Sequence, residues 1–366
     1  MSVIRPTPSA SPLRAPRAWL AALSVVALVL GGCDDLDEQA ESPKPIDVTM
    51  MIGSAGVGPG QFASPRVITT DGEALWVIDK LARVQRIDPA TGRCTYWFRM
   101  PEWEVGKPTG ARVLPGPEGV PALWVADTHY HRVMIYALPG TSELVTDPAA
   151  PVPESKPRLV ESFGEYGTGL GQFTYVADVA VLTKADGKTI ERIYVSEYGG
   201  NDRITVFDAS YKPLFNIGSV GSGVGKAEFE RPQGMVIVKG PGGPVLMVTD
   251  SVNHRVGRFT LEGKMIAWLG QSPADPPEPS RAAGRFSHPR GIVDFGDGTV
   301  LVTEFGNNRI QRIDAATGQS LGVWGQGGRK PGQLGQPWAA AVVGKTIYAL
   351  DTGNSRIEAF AAPARR

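Results

Sequence analysis

The chain repeats itself, and that repeat limits the folds open to it more than any other feature. The plainest copy spans residues 286–325, where three runs of β-branched and aromatic residues, 292–295, 300–303 and 310–313, are divided by Gly, Asn and Asp. Short runs of this kind with turn residues between them are antiparallel strands joined by tight turns. A fourth run, 321–324, ends at Gly325, so one unit is a four-stranded meander.

Six copies superimpose. The second strand of each ends in a carboxylate: Asp79, Asp127, Glu197, Asp250, Glu304 and Asp351. An arginine follows four to six residues later and opens the third strand: Arg83, Arg132, Arg203, Arg255, Arg309 and Arg356. The loop before the first strand repeats too, as GVGPGQFASP, GTGLGQFTYV, AEFERP, GRFSHP and PGQLGQP, while the second copy, GKPTG, lacks the Phe or Leu that the others carry. A four-stranded sheet of about 50 residues cannot bury both faces alone, and stacking copies radially leaves only short edges. The expected fold is therefore all-β, a six-bladed β-propeller of four-stranded antiparallel blades with almost no helix beyond residue 32.

The sixth copy ends near Phe360 after three strands, whereas residues 46–52, IDVTMMI before Gly53, read like the fourth strands of the other copies. The N-terminal strand is expected to complete the last blade, closing the ring and removing an open edge.

A Gly-rich GQF-x-x-P loop, a strand, V-x-D and then N-x-R-[IV] resembles the NHL repeat, and the resemblance covers roughly residues 46–360. It too implies a six-bladed propeller. In that topology the loop entering strand one and the turn between strands two and three surround the mouth of the central channel.

Residues 1–32 read as a targeting segment. Arg5, Arg14 and Arg17 form a basic front, and the apolar run 18–30 is too short to span a membrane. Leu30-Gly31-Gly32-Cys33 resembles a lipoprotein signal, with Cys33 the lipidated residue, rather than an ordinary secretory cleavage site. Residues 33–45 form an acidic tether, 46–360 the propeller and 361–366 a tail. The chain carries 37 basic and 37 acidic residues; without the segment the balance is 34 to 37, or −3. That excludes a global basic field for nucleic acid. The expected location is the cell envelope, lipid-anchored to the inner or outer membrane, with the propeller outside the cytoplasm.

A carboxylate and arginine present in every copy suit a structural pair that staples the hairpin by forked hydrogen bonds. The loop residues Phe62, Phe173, Phe229, Phe286 and Leu334 suit plugs between blades. Specificity belongs where the copies differ. The residue after the loop proline, or its equivalent, is Arg66, Thr109, Ala177, Gln233, Arg290 or Trp338. Arg66, Thr109, Gln233, Arg290 and Trp338 form the candidate site, able to grip a carboxylate, phosphate or sugar acid by hydrogen bonds and stacking. The other reading is that they merely fill the mouth.

Peptidylglycine amidating lyases resemble NHL propellers and hold zinc with histidines at the post-proline place, but none of the six residues here is His. His129 and His131 form an HxH pair without a suggested third ligand; His131 and His254 occupy a turn position. Lactonase-like propellers hold calcium in the channel, for which Asp178 and Asp294 are the available first-strand acids, fewer than such a site usually needs. Cys94 reads as a small buried residue. The proline-rich insertions 139–157 and 271–284 read as solvated loops or as docking segments.

These features lead to a membrane-anchored envelope binding or scaffold module without catalysis or cofactor, engaging a protein or glycan partner. The alternative is a metal-dependent hydrolase or lyase, lactonase-like or amidating-lyase-like, with zinc or calcium at the channel mouth.

Overall fold

The computed structural model describes residues 43–218, 228–240, 242–271 and 278–361. The leader, Cys33, most of the tether, part of the second insertion and the end of the tail lie outside them. The strands form six four-stranded antiparallel sheets, and the only helical elements among the described residues are three turns of 3-10 helix, three residues each.

Each sheet is one repeat. The innermost strands are Pro65–Thr70, Gly110–Pro115, Tyr175–Thr183, Pro232–Gly240, Pro289–Asp294 and Ala340–Val343, in blades 1 to 6. The last blade contains three C-terminal strands and Val48–Ile52, which pairs antiparallel with Arg356–Ala361 in the register Met51 to Glu358 and Ile52 to Ile357. The expected closure by an N-terminal outer strand is the observed one.

Apolar side chains pack between blades rather than into one central core. Phe62 lies between blades 6 and 1 with Ile52, Leu75 and Leu350; Phe173 between blades 2 and 3; Phe229 between 3 and 4; Phe286 between 4 and 5; Leu334 between 5 and 6. All five are fully buried. Blade 2, whose loop lacks the aromatic, meets blade 1 through Phe98, Met100 and Tyr136 instead. Inter-blade burial of this kind makes each sheet depend on its neighbours.

The six carboxylate–arginine pairs are all hydrogen-bonded ion pairs. They reach beyond the hairpin. Arg309 donates to Glu304 at 2.6 Å and to the carbonyls of Arg281, Ala282 and Arg285, while Glu304 accepts from the Ser287 backbone N–H. Arg203 likewise holds the carbonyls of Gly169 and Gln172. Five of the pairs thus clamp a hairpin to the loop that enters their own blade, satisfying backbone groups that the irregular loop cannot pair, while in blade 2 Arg132 reaches the Glu102 side chain instead. The residue before the arginine adopts positive φ in five blades: Ala82, His131, His254, Asn308 and Ser355.

The first insertion differs from a free loop. Val145 donates its backbone N–H to Thr95, Ser155 donates to Trp97, and the Trp97 indole donates to Val152 at 3.0 Å. This segment therefore covers the outer edge of blade 1, where exposed backbone groups would otherwise invite strand addition.

Candidate functional site at the channel mouth

All six innermost strands or the loops entering them contribute to one small cavity of about 40 Å³ on the propeller axis. Its narrowness has a backbone origin. A Cβ on Gly110 would lie 2.2 Å from the Ala177 carbonyl oxygen, and one on Gly234 would lie 2.4 Å from that of Arg290, so glycine lets neighbouring strands approach closely.

Deeper in the channel, Arg112 of blade 2 donates to Asp178 of blade 3 through Nε at 3.2 Å and Nη2 at 2.8 Å. The same oxygen accepts the Met235 backbone N–H of blade 4, and Arg112 also reaches the Ile292 carbonyl of blade 5. One ion pair thereby ties four blades across the axis. Asp178 does not fit the calcium ligand considered from sequence: one of its oxygens already takes three donors, and a guanidinium stands where a cation would have to approach. Asp294, at the far end of its strand, accepts the Gly296 N–H instead.

The mouth is cationic. Arg290 sits in the corner of two rings set at 87° to each other, its guanidinium 4.0 Å from the centre of Trp338 and 4.3 Å from that of Phe305, and Arg66 lies 5.0 Å over Trp338 from another blade. Gln233 accepts from Arg290 at 3.3 Å and from Arg231 at 3.2 Å. Those two guanidinium donors orient its amide oxygen, which leaves the amide N–H₂ directed elsewhere. Among the described residues, none of Arg66, Arg231 and Arg290 has a carboxylate partner. Asp202 approaches, but its oxygens accept the backbone N–H groups of Gly200 and Arg231. Burial, aided by the repulsion of Arg231 and Arg66, pushes the Arg290 guanidinium down to about 9.

Three buried donors here have no acceptor within the protein: Arg290 Nε, Trp338 Nε1 and Gln233 Nε2. Arg290 and Trp338 are each 7% exposed and Gln233 is 3% exposed, so bulk water does not readily replace a partner. The mouth is therefore an array of donors arranged for an acceptor.

The structure gathers Arg66, Gln233, Arg290 and Trp338 into this array. Thr109 lines the same cavity, but its hydroxyl is engaged with Thr128 and the Ala177 carbonyl. Arg231, Tyr198 and Phe305 escaped the sequence reading. Arg231 precedes a loop proline, and Tyr198 and Phe305 follow the repeat carboxylate, so reading variation at those two repeat positions would have found them.

The histidines fall on turns. His129 lies in the 3-10 turn Thr128–Tyr130 and His131 caps it, so the two do not share a strand face. His254 accepts the His288 backbone N–H on Nδ1, and their rings are 4.3 Å apart. Burial, then the neighbouring His288, pulls His254 down to about 4; burial and Arg290 lower His288. Cys94 is buried and its thiol is pushed up to about 11 by desolvation.

Fold and site together define a closed six-bladed propeller with a donor-rich channel mouth. No family model matches the chain, and no curated protein matches it. Among solved structures it is similar to hydrazine synthase from Kuenenia stuttgartiensis, with a TM-score of 0.50 and 13% identity over 83% of this chain and 97% of that one. It is also similar to a streptogramin B lyase, with a TM-score of 0.49 and 17% identity over 86% and 87% of the two chains. A virginiamycin B lyase from Staphylococcus aureus gives a TM-score of 0.47 and 16% identity over 78% and 76%. At such identities the likeness is one of fold alone.

Proposed function

We propose that this chain is a lipid-anchored protein of the cell envelope whose NHL-type propeller is a binding module, holding an acceptor-bearing protein or glycan partner at the channel mouth. The observation that carries the reading is the cluster of Arg66, Arg231 and Arg290 without a carboxylate among the described residues, beside buried donors that lack acceptors. Such groups are costly to bury unpaired, and a bound acceptor offsets that cost. The basic front, the apolar run and Leu30-Gly31-Gly32-Cys33 support the anchor.

The test is cross-linking in native envelopes, comparing the natural protein with a triple Arg66→Ala, Arg290→Ala, Trp338→Ala variant. Loss of the cross-linked species in a variant that still melts cooperatively supports the reading; an unchanged pattern overturns it. For the anchor, Cys33→Ser should abolish metabolic labelling by a fatty-acid analogue and move the protein out of the membrane fraction.

The second reading, a hydrolase or lyase at the mouth, is favoured by one observation. His254 and His288 sit in contact near the arginines, and both are held towards the neutral form that a general base needs. Elemental analysis of chelator-free protein separates the readings further: a stoichiometric zinc or calcium would favour the metal-dependent enzyme.

A further inference from the structure

A line of rings leads away from the arginine cluster. Arg231 stands 4.7 Å over Tyr198, Tyr198 is 5.5 Å from Tyr175, Tyr175 is 5.4 Å from His129 and 6.0 Å from His131, and His131 is 4.8 Å from Tyr166. The line starts at Arg231, which donates to Gln233 at the mouth, and ends at Tyr166, which is 70% exposed, while the rings between are half-buried. Arg66 and Lys107 act electrostatically on His129, so the cationic end and the ring lane belong to one surface.

We infer that the mouth binds a carboxylated saccharide, the carboxylate at the in-plane edge of Arg290 and the sugar rings along Tyr198, Tyr175 and Tyr166. This rests on the reading of the mouth as a binding site. The acceptor group follows from the unpaired edge of Arg290 and the size of the cavity. Arg290 Nε has no acceptor within the protein, and a flat carboxylate makes a forked contact with a guanidinium edge of that kind. The axial cavity of about 40 Å³ admits only a small group, and a carboxylate with two oxygens is less bulky there than a phosphate with four. The saccharide follows from the lane. Pyranoses lay their C–H faces on aromatic rings, and tyrosines add hydroxyl rims for sugar hydroxyls. Repeated ring surfaces that half-emerge from the protein suit successive sugar units. An acidic peptide would call instead for a cation at each step of the lane, whereas the groups beyond Arg231 are mainly rings, with Lys107 and Arg66 acting at His129.

The experiment is isothermal titration calorimetry on the full chain in detergent with four probes: an oligogalacturonate, its methyl ester, tetraglutamate and inorganic phosphate. Oligogalacturonate should bind, and its methyl ester roughly ten- to hundredfold more weakly, the loss expected for a charge-assisted pair. Arg290→Met and the half-buried Arg66→Met should both weaken it, the second guarding against misfolding of the first. Tyr175→Ala should weaken the oligomer yet leave monomeric galacturonate unchanged. Equal or tighter binding of tetraglutamate overturns the saccharide, and equal binding of phosphate overturns the carboxylate. No uronate binding, with envelope cross-links still lost in the triple variant, overturns this inference and leaves the binding reading standing.

Discussion

At the scale of single residues, the molecule places charge where its chemistry requires a partner. Arg309 and Glu304 are both buried, and together they satisfy three loop carbonyls and a backbone N–H. Truncating one member strands the other, so Arg309→Met should cost about 3–5 kcal/mol, read from chemical denaturation. An arginine change at an exposed site should cost little. His254 offers a pH test. It holds a proton near pH 6.5 when unfolded but only near 4 when folded. The unfolded chain therefore binds more protons in that interval, and stability contributed by this site is full above pH 6.5 and lost as pH falls towards 4. His254→Asn, with the residue that blade 5 carries as Asn308, should narrow the fall in melting temperature between pH 7 and 4. A difference between variant and natural protein that stays constant with pH would remove the argument.

At the scale of elements, the blades are held by side chains inserted between them. Phe286 is fully buried between blades 4 and 5, so Phe286→Ala should destabilise the protein by roughly 3–5 kcal/mol. The closing strand acts differently. Val48–Ile52 joins the two ends of the chain, and Ile52 sits in the core between blades 6 and 1. Deleting residues 46–52 should lower the melting temperature of the whole ring, checked by calorimetry, because an opened blade 6 exposes both an edge and an apolar face. The alternation of strands and turns made these elements legible from sequence. The first insertion was not legible, because the hydrogen bonds from Val145 and Ser155 to blade 1 depend on a strand some 50 residues away.

At the scale of the whole molecule, closure turns a row of weak units into one cooperative body. Each sheet buries its faces only against its neighbours, so loss of one interface is felt around the ring. Thermal unfolding followed by tryptophan fluorescence and by far-ultraviolet dichroism should therefore give coincident transitions; separate transitions would mean that blades open independently. The repeat by itself determined the number of blades, the N-terminal closure, the plugs between blades and the ring of positions facing the mouth, because all follow from local patterns repeated at one spacing. Only the tertiary structure decided what that ring becomes. It brought Arg231 from one repeat position and Phe305 from another beside Arg290, and it engaged Asp178 with Arg112 across the axis. Repeats specify the angle between neighbours, but contacts across a closed ring join residues far apart in sequence, and those depend on how the circle shuts.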